Sequence, residues 1–158
     1  MTVPALLLFS DCGGDWEFYI DFVYETFLDD IVRQPLMFRG ERVSCRKHPE
    51  TRGKGAGFWH MVQEGAIEED RVPDIRRCER IPLIKYMIEN CDLEWEIDVW
   101  ENTRGSESNT LLWFSEEYLV VLGRRTGYWL LRTAYCTTKN HRIQALRKER
   151  DAYFQAMG

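Results

Sequence analysis

Residues 93–101, LEWEIDVWE, begin the part of the chain whose pattern is most informative about the fold. Apolar side chains alternate there with acidic ones, and the inward set would be Leu93, Trp95, Ile97 and Val99. Successive side chains of a strand point to opposite faces of a sheet. Strict alternation therefore predicts a half-buried strand with these four residues facing the core.

Three further apolar runs follow at short intervals: TLLWF (110–114), YLVVLG (118–123) and YWLLRTAY (128–135). The stretches between the last three runs are S-E-E and R-R-T-G. Short gaps that contain turn residues are typical of hairpins. The four runs therefore predict an antiparallel meander of three or four strands.

Helical periodicity lies on both sides of this meander. A helix is predicted to begin after Asp15, which can cap it, and to end near Arg33. A second helix is predicted with Pro82 in its first turn, and a basic helix from about Lys139 to the end of the chain. The buried face of the first helix is expected to comprise Trp16, Tyr19, Ile20, Val23, Phe27 and Ile31.

Two short strands are also predicted, one over the apolar residues 3–9 and one over residues 43–47. Together the elements predict an α+β fold: N-terminal helices, then a three- to four-stranded antiparallel sheet, then a C-terminal helix. The chain has 158 residues, of which 44% are hydrophobic. This length and composition predict a single domain, residues 1–158, with a real core.

Charge is distributed unevenly along a chain whose net charge is -5. Residues 1–30 contain seven acidic and no basic residues, whereas residues 39–54 contain six basic and two acidic ones. Residues 117–158 contain eight basic and three acidic ones. Such segregation favours an anionic partner at one face, and the alternative is a set of solvated charges spread over the surface.

Several classes of protein are disfavoured. No stretch reaches the roughly 18 apolar residues that span a bilayer, and no basic segment precedes residues 3–9, so we expect a cytoplasmic protein without a membrane partner. The five cysteines form no C-x-x-C pair, and Cys45 and His48 form a C-x-x-H pair without a second pair. We therefore predict neither a disulfide framework nor a metal or other cofactor.

Residues 53–65, GKGAGFWHMVQEG, bring glycines, Lys54 and His60 close together. The stretch is not a P-loop, because its lysine comes early and no hydroxyl residue follows it. Glycines still permit a phosphate to approach the backbone, and Lys54 supplies charge; the alternative is a plain flexible loop. His60 is either a core imidazole or, with His48 and Lys54, part of a set that can cleave RNA without a metal.

Residues 71–81, RVPDIRRCERI, carry four arginines: Arg71, Arg76, Arg77 and Arg80. Guanidinium groups can bind a phosphate through two parallel hydrogen bonds. Ion pairs with neighbouring carboxylates are the alternative role for these arginines.

Residues 129–135, WLLRTAY, form the last predicted strand. If Leu131 points inward, alternation places Thr133 and Tyr135 on the same face and Arg132 and Ala134 on the other. The two hydroxyls could contact a phosphate, although both residue types are also common in ordinary strands.

The segments GKGAGFWH (53–60), DIRRCERI (74–81) and YWLLRTAY before a basic helix resemble the metal-independent RNases of the Barnase–EndoU–colicin–RelE superfamily. The similarity is to the phage- and mobile-element-associated branch of that superfamily. It covers residues 40–155 and leaves residues 1–35 as an N-terminal extension. It implies helices followed by a four-stranded antiparallel sheet, and cleavage of RNA by 2'-hydroxyl transesterification to a 2',3'-cyclic phosphate.

The resemblance also implies roles for residues at the matching positions. His60 would be the general acid or base, and Lys54 the cation at the phosphate. Arg77 or Arg80 would be a second cation, and Thr133 the strand hydroxyl.

His48 and Tyr135 are additional candidates for the site. The expected substrate is RNA, either tRNA or mRNA, and the expected partner is a neutralising antitoxin or immunity protein, as in toxin–antitoxin or phage-defence systems. Two other functions fit the same residues: a non-catalytic module that binds RNA or protein, and a phosphotransferase that acts on a nucleotide.

Overall fold

The computed structural model describes residues 2–64 and 72–158. Its helices are α1 (Trp16–Phe27), α2 (Ala56–Val62), α3 (Ile75–Glu79), α4 (Ile81–Asn90) and α5 (Asn140–Met157). Its strands are β1 (Met37–Phe38), β2 (Glu41–Ser44), β3 (Glu50–Thr51), β4 (Lys54–Gly55), β5 (Gln63–Glu64), β6 (Val72–Pro73), β7 (Ile97–Arg104), β8 (Glu107–Phe114), β9 (Tyr118–Arg125) and β10 (Tyr128–Cys136).

The predicted meander is confirmed, since β7, β8, β9 and β10 follow one another as antiparallel neighbours. Its register is set by pairs such as Trp100 with Leu111 and Leu112 with Val120. The predicted class, α+β with a helix after the sheet, is confirmed as well.

The sheet is larger than predicted and is mixed. It has six strands in the order β1-β2-β10-β9-β8-β7, and β2 runs parallel to β10. This pairing ends where Ser44 lies opposite Leu130. The strand predicted over residues 43–47 corresponds in part to β2, which lies at Glu41–Ser44. The two residues of β1 carry too little periodicity to be recognised in the sequence. Beyond Leu130, helix α2 packs against β10 in place of a further strand.

The first strand predicted over residues 3–9 is not formed. Residues 2–8 belong to no regular element, and Phe9–Cys12 form a single turn of 3-10 helix. This segment is attached by isolated hydrogen bonds: the Leu7 N–H donates to the Glu79 carbonyl, and the Tyr19 hydroxyl donates to the Leu7 carbonyl. An apolar run by itself does not supply the neighbouring strand that a ladder needs.

The prediction that Leu93 and Trp95 face the core is also wrong. The strand begins only at Ile97, and Trp95 is 87% exposed. The Leu93 N–H donates to the carbonyl of Asn90, which closes a turn after α4. The local alternation therefore continues through a turn that precedes the strand.

The first helix is confirmed and packs into the main core. The Asp15 carboxylate accepts the Phe18 N–H at 3.1 Å, and α1 is followed by one π-helical turn, Leu28–Val32. Helices α1, α2 and α4 all contribute buried residues to this core, which lies against one face of the sheet. The N-terminal part of the chain thus belongs to the core packing. Five of the six residues expected on the buried side of this helix are buried: Tyr19, Ile20, Val23, Phe27 and Ile31.

Helix α5 covers the opposite face of the sheet. Its Leu146 is buried among Trp100, Leu111, Trp113 and Leu119, with Ile143 and Tyr153 packed alongside. Across residues 2–64 and 72–158, no helix combines the length and apolar character that a membrane crossing requires.

Candidate functional site

A β-bulge in β10 reverses the expected orientation of its residues. Leu131 pairs with Leu122 and Thr133 pairs with Val121, so Arg132 is the extra residue that has no partner on β9. One extra residue in a strand shifts every later side chain to the opposite face. The prediction that Thr133 shares the face of Leu131 is therefore wrong. Ala134 joins Leu131 in the main core instead.

After the bulge, Thr133 and Tyr135 both lie on the side of the sheet that faces α5. Thr133 lies opposite Val121 and Tyr135 opposite Leu119, and these two β9 residues belong to the cluster beneath α5. Bulges often occur beside active sites because they redirect a side chain.

A cleft of about 390 Å³ opens at this point, between β10, α2 and the first turn of α5. The sheet is incomplete here, because β2 no longer accompanies β10 beyond Leu130. Helix α2 and the segment after β2 approach from this open side. The polar side chains that line the cleft are Arg46, His60, Arg132, Thr133, Tyr135 and Arg142.

Gly57 explains how α2 brings His60 to the cleft. The Gly57 N–H donates to the Arg46 carbonyl at 2.7 Å, and a Cβ at position 57 would lie 2.7 Å from that same oxygen. A Cβ at Gly55 would lie 3.0 Å from the Lys47 carbonyl oxygen. The glycines of GKGAG thus allow one backbone segment to approach another, and this contact places Arg46 beside the helix that carries His60.

Arg132 is held across the sheet by a chain of hydrogen bonds. Its Nη1 donates to Asn109 Oδ1 at 2.9 Å, Asn109 Nδ2 donates to Asn102 Oδ1 at 3.0 Å, and Asn102 Nδ2 donates to Glu149 Oε1 at 2.9 Å. Gly123 leaves room for the arginine stem, since a Cβ there would lie 2.8 Å from Arg132 Cδ. The guanidinium is therefore fixed by side chains on β8, β7 and α5.

The chain of hydrogen bonds ends at Glu149, whose carboxylate stays charged. Burial by itself raises the pKa of Glu149, but hydrogen bonds donated by Trp100, Asn102 and Arg104 outweigh it and hold the pKa below its usual range. An ionised acceptor makes stronger hydrogen bonds than a neutral one. The negative charge thus anchors the far end of the network that positions Arg132.

Tyr135 organises two arginines. Arg142 Nε donates to the Tyr135 hydroxyl at 2.9 Å. The guanidinium carbons of Arg77 and Arg142 lie 5.6 and 5.9 Å from the centre of the Tyr135 ring, within the range of a cation–π interaction. Because its oxygen accepts from Arg142, the Tyr135 O–H hydrogen is available to another acceptor.

A second cleft of about 340 Å³ adjoins the first, and Tyr135 and Arg142 line both. Its other basic side chains are Arg77, Lys139 and His141. Arg77 is fixed at the rim, because its Nη1 donates to the Gln63 carbonyl at 2.6 Å. The two clefts therefore form one groove along the end of β10.

The charged side chains that line the groove are basic, although Arg77 at its rim also has Nε 3.8 Å from Asp74 Oδ2. No acidic residue lines either cleft within the part of the chain that the structure describes. Arg46, Arg132 and Arg142 have no carboxylate oxygen within 4.0 Å among those residues. Elsewhere on the sheet and α5, Arg125 pairs with Glu107 at 2.9 Å, and Arg104, Arg124, Arg147 and Arg150 are likewise ion-paired. Uncompensated cations in a cleft focus a field that attracts anions.

The structure brings together only some of the residues expected at the site. His60, Thr133 and Tyr135 line the first cleft, and Arg77 and Tyr135 line the second. Arg71 lies outside the described residues.

Three expected residues line neither cleft. Lys54 is 12% exposed and its Nζ contacts Asp21 Oδ1 at 2.7 Å, so its charge is directed toward α1. Arg80 lies at the junction of α3 and α4, with Nη1 at 3.3 Å from Glu79 Oε1. His48 is exposed and precedes a cis proline, Pro49.

Sequence reasoning missed several residues of the groove. The basic content of residues 39–54 and 117–158 was the available signal, but it could not show which bases share a face. The bulge in β10 and the end of the β2 pairing at Ser44 decide this. The missed residues are Arg46, Arg132, Lys139, His141 and Arg142.

Cysteine chemistry does not account for the site. All five cysteines are free thiols, and Cys136 lines the second cleft. Burial raises the pKa of Cys136, which keeps it protonated and weakens it as a nucleophile. Among the described residues, no group of three or more His, Cys, Asp or Glu side chains could hold a metal ion.

Comparisons with known proteins give no relative: no protein-family model, no curated protein and no solved structure matches this chain.

Proposed function

We propose that this protein is a metal-independent endoribonuclease that cleaves RNA by attack of a 2'-hydroxyl on the adjacent phosphorus. The observation that carries the proposal is the first cleft, where one imidazole and two hydroxyl side chains lie among three arginines, with no lining carboxylate among the residues that the structure describes. Such a cleft suits a phosphodiester, which is anionic and gains negative charge in the transition state.

His60 is the proposed general base. It accepts the proton of the 2'-hydroxyl as that oxygen bonds to phosphorus, because the pKa of an imidazole near neutrality suits this transfer. It is half-buried on α2 and lines the cleft together with Thr133. Thr133 orients the phosphate by a hydrogen bond from its hydroxyl.

Tyr135 is the proposed general acid. The bond from phosphorus to the 5'-oxygen breaks as the new bond forms, and the leaving oxygen takes the Tyr135 proton. The arrangement supports this role because the Tyr135 oxygen already accepts from Arg142, so its own hydrogen can point elsewhere. The products are a 2',3'-cyclic phosphate and a free 5'-hydroxyl, which balances both proton transfers.

The arginines are proposed to stabilise the phosphorane. Arg132 and Arg142 are each fixed by a hydrogen bond to a neighbouring side chain, so they require little reorganisation when charge develops. Arg46 adds a third positive charge. Metal independence belongs to the proposal because these guanidinium groups supply the cations that the reaction needs.

The test uses purified protein in EDTA with total RNA and with individual tRNAs and mRNAs, and maps the cut ends. Wild type is expected to produce 2',3'-cyclic phosphate ends. His60→Ala and the size-preserving His60→Gln are expected to lose about 10²–10⁴-fold in rate. His48→Ala, which removes an imidazole outside the groove, is the matched control and should cleave normally. An unchanged rate in folded His60 variants would remove His60 from the mechanism.

In the cell, we propose that the enzyme acts in the cytoplasm on tRNA or mRNA and is held inactive by a neutralising antitoxin or immunity protein. The proposal follows from the chemistry: an RNase of this kind would damage its own host. Induced wild type should stop growth, and His60→Gln should not. Equal growth of the two strains at equal protein levels, without any added partner, would contradict a toxin role.

A non-catalytic RNA-binding module is the competing function, and the same groove lined by basic side chains favours it. It predicts that RNA binding steepens at low salt while wild type and His60→Gln are equally inert toward RNA.

A further inference from the structure

The second cleft contains basic side chains that the proposed reaction does not use, namely Arg77, Lys139 and His141. Only the first cleft contains His60, so the bond that breaks must lie there. The second cleft nevertheless has about the same size and the same basic character. Its two exposed bases at the start of α5 are Lys139 and His141.

Neither of these two side chains holds another described residue in place. Neither donates a side-chain hydrogen bond to a described residue or forms an ion pair with one, in contrast to Arg147 and Arg150 of the same helix, which bind Glu116 at 2.6 and 2.8 Å. Bases that hold no carboxylate and line a cleft are suited to an external anion.

The two clefts are joined by shared residues. Arg142 and Tyr135 line both clefts. The Tyr135 ring contacts Arg77, at the rim of the second cleft, and Arg142, which lies where the two clefts meet. An RNA strand with one phosphate in the first cleft would therefore pass directly beside the second cleft. Basic grooves that follow a single-stranded backbone hold successive phosphates in this way.

We propose that the second cleft binds a neighbouring backbone phosphate of the same RNA strand, so that the substrate is a single-stranded segment with phosphates in both clefts. Arg77, Lys139 and Arg142 are the cations that hold this phosphate. The inference rests on the proposed function for the identity of the ligand as RNA. It excludes a mononucleotide or an isolated phosphodiester as the full substrate.

The test measures binding with 2'-O-methyl RNA, which cannot undergo transesterification. It compares a dinucleotide, which has a single internal phosphate, with an oligonucleotide of about five nucleotides, by NMR titration and fluorescence anisotropy. Lys139→Ala/His141→Ala should weaken binding of the longer RNA about tenfold and leave the dinucleotide unaffected, because losing the one charged hydrogen bond from Lys139, about 1.4 kcal/mol, corresponds to a factor of ten. In the same variant, the magnitude of the slope of log K for RNA binding against log salt concentration should fall by about one.

Lys148→Ala is the matched control, since Lys148 is an exposed base on α5 that lines neither cleft. It should leave binding of both RNAs close to wild type. Equal weakening of both RNAs by the Lys139/His141 pair, or no weakening of either, would overturn the inference.

The outcome is separable from that of the catalytic proposal. If wild type binds the longer RNA but never cleaves natural RNA, catalysis is refuted while the comparison of the two lengths still decides the second cleft. If wild type binds neither RNA, both proposals are overturned.

Discussion

Arg142 donates through Nε to the hydroxyl of Tyr135 at 2.9 Å, and this pair stands where the two basic clefts meet. The bond joins the last strand of the sheet to the first turn of the C-terminal helix. It also leaves the tyrosine hydrogen available for a substrate oxygen, which links the packing of β10 and α5 to the proposed chemistry.

Tyr135→Phe removes the hydroxyl and keeps the ring that contacts Arg77 and Arg142. If Tyr135 is the general acid, kcat should fall about 10²-fold or more. Affinity for uncleavable RNA should fall less than about tenfold, because only one hydrogen bond is lost. Single-turnover cleavage and anisotropy measure the two quantities separately. Equal losses in both would indicate that Tyr135 only positions Arg142.

Asn109 and Arg132 should act as one unit in RNA binding. Asn109→Ala removes the acceptor at 2.9 Å from Arg132 Nη1 and interrupts the path to Glu149. A double-mutant cycle with Arg132→Ala should therefore give a coupling of about 0.5–3 kcal/mol in RNA affinity. The cycle is measured at constant salt by anisotropy. Additive losses would show that the network does not position Arg132.

Gly57→Ala should destabilise the fold. Its added methyl carbon would lie 2.7 Å from the Arg46 carbonyl oxygen, so α2 and the segment after β2 must separate. Overpacking of this kind costs about 1–3 kcal/mol of unfolding free energy. Urea unfolding measures the loss, and the cleavage rate at low temperature should fall with it because Arg46 and His60 move apart. An unchanged unfolding midpoint would contradict the close contact.

Lys54→Met should affect stability and leave catalysis intact. The methionine preserves most of the apolar stem while removing the ion pair with Asp21, whose own side chain is 65% exposed. Exposed pairs contribute about 0–1 kcal/mol. RNA cleavage should match wild type, whereas Arg132→Ala should impair it strongly. A large loss of cleavage in folded Lys54→Met would place Lys54 at the phosphate after all.

Acid should destabilise the protein partly through Glu149. Burial raises its pKa, but the hydrogen bonds from Trp100, Asn102 and Arg104 bring the folded-state value below the ordinary 4.5. The unfolded chain then binds more protons near that pH, so this contribution is present above about pH 4.5 and is lost as pH falls through the folded pKa. Urea unfolding at a series of pH values should show a shallower acid loss in Glu149→Gln. An identical loss in both proteins would refute this role.

The meander and the main helices could be read from the sequence because each rests on a local period. Alternation marked Ile97 and the strands after it, and spacing by three and four marked the face of α1 that holds Tyr19 and Val23. Local patterns failed at Trp95, where the alternation continues through a turn, and at residues 3–9, an apolar run that forms no strand. His60 and Tyr135 were found by residue type and motif.

The class of fold and the order of the long elements followed from the sequence alone, and residue type and motif singled out His60, Thr133 and Tyr135, which line the first cleft. The tertiary structure decided which cations join them. Lys54 forms an ion pair with Asp21 and does not line the groove. Arg132 lines the groove because it is the extra residue of a bulge in β10, which arises from the pairing of β10 with β9. Register and ion pairing depend on residues distant in the chain, so no local pattern can encode them.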